Sequence, residues 1–225
     1  MVPLHRHQIA WLGETGWRSV LDRDWDPTER DCLDHWATRQ LPLVVTRQAS
    51  PASEDSISLG LPTPGRWGRR RLALTVARSS VLYFDEFPLA ERLISLLPAS
   101  ARPTWLTLVA DLKLLNANAR VYGSYGWQIL SGFAHVRDGS DIDLWVSVSD
   151  WAQADAAAAR LQAVSGELPR VDGELMFDDG AAVAWREWLA WRSGKVKSLL
   201  VKSIAGSSLE RTWGRQGAVA LAEAA

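Results

Sequence analysis

A strict two-residue alternation at residues 141–148 constrains this chain more than any other feature. Ile142, Leu144, Val146 and Val148 fall on one face of an extended segment, and Asp141, Asp143, Trp145 and Ser147 fall on the other. The pattern predicts a strand with a buried apolar face and two carboxylates pointing the same way. Their Cα atoms lie ~6.5 Å apart along such a strand, close enough for both side chains to converge on one divalent cation. Aspartate is disfavoured in strands and repels a like-charged neighbour, so this spacing calls for a compensating positive charge. A lone Asp-x-Asp at a strand start more often simply faces water, but this pair has company on both sides.

Upstream, Val121 and Tyr122 lead into Gly123-Ser124 and then a helix pattern over residues 125–130. In such a strand-turn-helix transition glycine permits close backbone approach, Ser124 is placed to cap the helix, and the helix N-terminus suits phosphate. Downstream, Asp150 with Gln153 predicts a helix start, and Trp151, Ala154, Ala158 and Leu161 line one helical face. A further extended segment at residues 170–177 puts Asp172 and Glu174 on one face, a second source of carboxylates.

The rest of the chain reads as alternating helices and strands. Residues 28–39 have helical spacing in Cys32, Leu33 and Trp36, and residues 43–46 have strand chemistry. Residues 49–68, rich in Ser, Pro and Gly, predict a loop that ends in Arg69, Arg70 and Arg71. Strands are expected at 72–76 and 80–84. Two helices should follow from Phe87 with a break at 98–103, the second carrying Trp105, Leu108, Val109, Leu112 and Leu115 on its core face. Residues 118–120 then turn the chain toward Val121. Together these elements predict an α+β (mixed α/β) fold, with a small domain at 1–90 for substrate or carrier binding and a catalytic domain at 91–225.

Composition narrows the function classes. With 225 residues, 47% of them hydrophobic, the chain can bury a real core, and a formal net charge of -1 gives no global basic field of the kind nucleic-acid binders carry. Cys32 is the single cysteine, which excludes an internal disulfide and points to the cytoplasm. Residues 1–17 hold no signal-peptide core, and no stretch approaches the ~20 apolar residues a membrane span needs. The histidines His5, His7, His35 and His135 lack zinc-ligand spacing.

The order of a Gly-Ser turn, a helix, an Asp-x-Asp strand, a helix and a further acidic strand resembles the DNA polymerase β-like nucleotidyltransferase superfamily. The gap from Ser124 to Asp141 is somewhat longer than is usual there. With that gap, GSYGWQILSGFAHVRDGSDIDLWV resembles the family of phosphoribosyl-dephospho-CoA transferases that serve malonate decarboxylase. RHQIAWL, PLVVTRQ, LGLPTP and GRRR extend the likeness over nearly the whole chain. The resemblance implies a polymerase β-like catalytic domain, with a mixed sheet flanked by helices, that joins triphosphoribosyl-dephospho-CoA to a serine of the malonate decarboxylase acyl carrier protein and releases pyrophosphate. It further implies Gly123 and Ser124 as the phosphate turn, with Gln128 and Ser140 nearby, and Asp141 and Asp143 as Mg2+ ligands. Asp172 is the favoured third carboxylate and Glu174 the alternative. Arg47 and Lys202 are candidate phosphate-binding cations. Two other readings remain open: a different nucleotidyltransferase of the same superfamily, which would not need the N-terminal motifs, and a carrier-binding module without catalysis, which would not need the acids.

Overall fold

The computed structural model describes residues 4–48, 55–166 and 168–212. The chain opens with β1 (Gln8–Leu12), α1 (Glu14–Leu21) and α2 (Pro27–Thr38), followed by β2 (Leu43–Val45), β3 (Ser56–Pro62), β4 (Arg71–Ala77) and β5 (Val81–Glu86). The five strands form an antiparallel sheet in the order β4-β3-β2-β1-β5. α2 starts one residue before the stretch read from its spacing. Asp26 accepts hydrogen bonds from the backbone N–H groups of Thr28 and Glu29, and Glu29 answers by accepting from Asp26 N–H, a reciprocal cap ahead of a proline-led first turn. Its buried stripe is Cys32, Leu33 and Trp36, as the spacing predicts, and burial pushes the Cys32 thiol up to about 12, so it stays protonated.

After short 3-10 turns come α3 (Arg102–Leu114), β6 (Ala119–Tyr122), α4 (Gly123–Ser131), β7 (Ile142–Val148), α5 (Trp151–Ala163), β8 (Val171–Phe177), β9 (Ala182–Ala184), α6 (Trp185–Arg192), β10 (Leu199–Lys202) and β11 (Ser207–Glu210). The second sheet runs β11-β10-β9-β8-β7-β6 and is mixed: β7 and β8 are parallel, joined by the α5 crossover, and the other pairs are antiparallel. The α+β architecture therefore matches the expectation from sequence.

Three local expectations need correction, and two elements went unread. The loop expected over 49–68 contains β3, paired with β4 along its whole length, because Ile57, Leu59 and Leu61 alternate into the core despite the surrounding Ser, Pro and Gly; residues 49–54 lie outside the described residues. The first helix expected after Phe87 is a 3-10 segment, Ala90–Leu96. β6 begins at Ala119, inside the expected turn at 118–120. β1 and α1 precede any element read from the sequence; β1 is largely buried in the first sheet, and α1 buries one face, Gly16, Trp17 and Val20, beside it.

Two cores result. One gathers α3, α5, α6 and the apolar faces of β7 and β8; the other gathers the first sheet with α1 and α2. Trp127, from α4, packs into the second of these, together with Phe87.

Candidate active site

β6 ends at Tyr122, which lies opposite Asp143 in the ladder, and the chain turns into α4 at Gly123 with a φ of 60°. A Cβ at Gly123 would fall 1.8 Å from the Asp143 Oδ2, so glycine is required there on two counts: the left-handed backbone and the carboxylate resting against it. Ser124 does not cap the helix as expected. Tyr122 holds the cap position and makes no side-chain cap bond, which leaves the first N–H groups of α4 without a side-chain acceptor. Those donors and the helix dipole favour an anion beside the turn.

Parallel pairing of β7 with β8 sets Asp143 directly beside Asp172. Gly173 permits this contact: its φ is 134°, and a Cβ would meet the Leu144 carbonyl oxygen at 1.7 Å. Asp141 precedes β7 by one residue. The exposed guanidinium of Arg170 reaches both Asp141, at 3.3 Å, and Asp172, at 3.6 Å. Even so, burial, then repulsion from Asp172, Asp141 and Glu174, pushes the Asp143 carboxyl up to about 6. Among the described residues no three His, Cys, Asp or Glu side chains are drawn together closely enough to hold a metal as they stand. The donor chemistry nonetheless fits a hard divalent cation: three carboxylates lie close enough to repel one another, and the positive charge offsetting two of them sits on a solvent-exposed arginine able to swing away.

Glu174 has a different environment. It is 5% exposed and accepts hydrogen bonds from His7 at 2.9 Å, from Lys202 at 2.8 Å and from Arg6 at 3.4 Å. Burial opposes its ionisation, but these partners hold the carboxyl well below the usual range. His7 also stacks on Tyr122, so the segment before β1 is fastened onto the second sheet. Lys202 is thus anchored on Glu174 by one of its ammonium donors.

In front of the turn lies a cleft of about 730 Å³ between the two sheets. Gly123, Ser124 and Asp143 form one side of it. Arg47 and Arg71, from the first sheet, also line it, as does Arg6, held by Glu174 of β8, with Phe87 and Trp127 among the apolar lining. Of the residues expected from sequence, the structure brings Gly123, Ser124, Asp143 and Arg47 to this cleft and places Asp172 and Asp141 next to Asp143. Gln128 lies outside the lining, its side-chain oxygen accepting from the backbone of His135 and Val136 and so shaping the loop after α4. Ser140 closes a turn with Arg137.

Arg6, Arg71, Arg170 and His135 escape a reading by spacing. Arg6 and Arg71 do stand in the RHQIAWL and GRRR stretches, but the three consecutive arginines have three fates. Arg69 donates to the His135 carbonyl, Arg70 pairs with Asp26 and Glu29, and Arg71 lines the cleft. His135, also in the cleft wall, is held neutral: burial and the nearby Arg69 lower its imidazole to about 4.

The family model described as "Phosphoribosyl-dephospho-CoA transferase MdcG C-terminal domain" matches residues 88–212, and the corresponding N-terminal domain model matches residues 5–87. A phosphoribosyl-dephospho-CoA transferase of Bradyrhizobium diazoefficiens is 34% identical over 203 residues, covering 90% of this chain and 88% of the relative. A protein of the same name from Xanthomonas euvesicatoria is 30% identical over 88% of this chain and 90% of its own length. Another, from Pseudomonas syringae, is 33% identical over 80% and 83%. No solved structure matches the chain.

Proposed function

The chain belongs to the phosphoribosyl-dephospho-CoA transferase family and is a transferase; from that premise we propose that it carries out nucleotidyl transfer of the polymerase β type, in the cytoplasm. It moves the 2'-(5''-phosphoribosyl)-3'-dephospho-CoA group from its triphosphate precursor to a serine of the malonate decarboxylase acyl carrier protein. The observation that carries this reading is the pairing of Asp143 with Asp172 at a cleft lined by three arginines. Carboxylates facing guanidiniums across a Gly-Ser turn suit a polyphosphate whose α-phosphorus is attacked.

Asp141, Asp143 and Asp172 would hold Mg2+, which supplies neutralisation of charge on the phosphate oxygens. The α-phosphate end of the triphosphate lies at the N-terminus of α4, where free backbone N–H groups and Arg71 bind its oxygens, and the remaining phosphates extend toward Arg6 and Arg47. The carrier's serine oxygen forms the new bond to the α-phosphorus as the bond to the bridging oxygen breaks, and the electron pair departs with pyrophosphate. Asp172 is the carboxylate placed to take the serine proton, since a protein-borne hydroxyl must approach from solvent and Asp172 is 36% exposed there, whereas Glu174 is buried under three cationic or imidazole partners.

Incubation with the precursor, the carrier protein and Mg2+ tests the reading. Mass spectrometry should show a phosphodiester-linked adduct, absent when the carrier's acceptor serine is alanine, with one pyrophosphate released per transfer. An unmodified carrier, alongside labelling of another acceptor from ATP, would overturn the assignment of donor and acceptor. Independently of turnover, Mg2+ should raise the thermal midpoint of the wild-type chain and leave that of Asp143→Asn unchanged.

A further inference from the structure

A second, smaller cavity of about 260 Å³ opens beside the main cleft, walled by Arg6, Arg47, Leu200, Lys202, Ser203 and Ser207 among others. Arg6 and Arg47 line both cavities, so the two meet at this arginine pair. Lys202 and the serines of the β10–β11 hairpin belong to the smaller one alone. Its three cations arrive from three separate stretches of chain, and each is fixed by a bond that leaves other donors free. Arg6 and Lys202 are anchored by Glu174, and Arg47 donates its Nε–H to the Ala205 carbonyl at 2.9 Å. Glu174 is the carboxylate bonded within this group, so three positive charges converge on one open cavity against one negative charge. A monoanion would leave that excess uncompensated, whereas a diphosphate supplies several charges and acceptors for the guanidinium, ammonium and hydroxyl donors.

We propose that this cavity is a diphosphate subsite: the β- and γ-phosphates of the precursor pass between Arg6 and Arg47 into it, and the released pyrophosphate is held there, away from the incoming carrier serine. The inference rests on the triphosphate reading above and adds where the leaving group goes. It explains why Lys202, a cation in a phosphate-binding protein, stands outside the wall of the main cleft.

Calorimetric titration of the full chain with sodium pyrophosphate, in EDTA, tests it. The wild type should bind, and Lys202→Gln should weaken binding about tenfold or more. Ser207→Glu places a carboxylate in the cavity from an exposed position outside the Glu174 cluster, and should weaken binding as much even if the Lys202 variant fails to fold. Arg71→Gln, altered only in the main cleft, should slow transfer yet bind pyrophosphate within about twofold of wild type. Absence of wild-type binding at millimolar pyrophosphate, wild-type affinity in Ser207→Glu, or an Arg71→Gln loss equal to that of the cavity variants would overturn the subsite. Pyrophosphate binding with this variant pattern, in a chain that fails to modify the carrier, would uphold the subsite and remove only the proposed acceptor.

Discussion

Asp143 and Glu174 lie on adjacent strands, both largely buried, yet their environments push them in opposite directions. Burial and three neighbouring carboxylates raise Asp143, while His7, Lys202 and Arg6 hold Glu174 low. Replacing Asp143 by asparagine therefore removes a destabilising charge: the metal-free variant should be about 1–3 kcal/mol more stable than metal-free wild type at pH 7, with transfer abolished. Urea unfolding in EDTA checks the first half and the carrier assay the second; a destabilised Asn variant would mean the carboxylate is compensated in the native chain. The two acids of β8 should separate in the same way. Asp172→Asn should cost transfer with little loss of stability. Glu174→Gln leaves two partly exposed cations without their counter-charge and should cost about 2–3 kcal/mol. Equal stabilities for the two variants would contradict these assignments. The sequence shows that Asp172 and Glu174 share a strand face, but not which is buried, because that depends on Arg6 and His7, more than 160 residues away in the chain.

At the scale of elements, legibility followed locality. β7, α2, α3 and α5 carry their own periodicity, and α2 and α5 their own side-chain caps, so each could be read from a dozen consecutive residues. β3 could not: its apolar alternation is interrupted by Gly60 and ends on Pro62, and only pairing with β4 overrides those residues. The loop after α4 shows the same dependence on partners. Gln128 holds its backbone, Arg69 its carbonyl, and His135 sits in it as a buried neutral imidazole. That loop predicts a pH dependence of definite sign. The native ring is lowered to about 4 from an ordinary value near 6.5. As pH falls from 7 to 5 the unfolded chain takes up a proton that the native chain refuses, and stability drops by about 2 kcal/mol on this account. Because Asp143 shifts stability the opposite way, the measurement is a difference: the gap between wild type and His135→Gln in urea midpoint should narrow, or turn in favour of the variant, between pH 7 and pH 5. A gap constant across that range would mean the imidazole is charged in the native state.

Across the whole molecule, the site exists only where the two sheets face each other, and α4 is the element they share. Tyr125 packs with the core of the second sheet, while Trp127, 4% exposed, packs edge-on to Phe87 in the core of the first. Gly126 between them admits no side chain, since a Cβ would lie 2.3 Å from the Val121 carbonyl oxygen and 2.8 Å from the Phe87 ring. The helix pattern at 125–130 was legible, but not that its faces answer to two different cores, and of the cleft's arginines only Arg47 was singled out, Arg6 and Arg71 being legible only as parts of motifs. Further ties join the halves: Arg120 to the Phe87 carbonyl, Gln48 N–H to the Ile204 carbonyl, and Gly65 N–H to the Ala134 carbonyl. Loss of one tie should therefore weaken the molecule without dividing it. Trp127→Ala empties a large volume at the junction and should cost about 3–5 kcal/mol. Its near-ultraviolet and far-ultraviolet denaturation curves should still coincide as a single transition, as two-state unfolding requires. The first residue of α4 is the glycine against which Asp143 rests, so the same variant should also lose transfer activity when fully folded at low temperature. Two separated transitions would show that the sheets fold as independent units, and full activity in the folded variant would show that the phosphate turn is held by β6 and β7 alone.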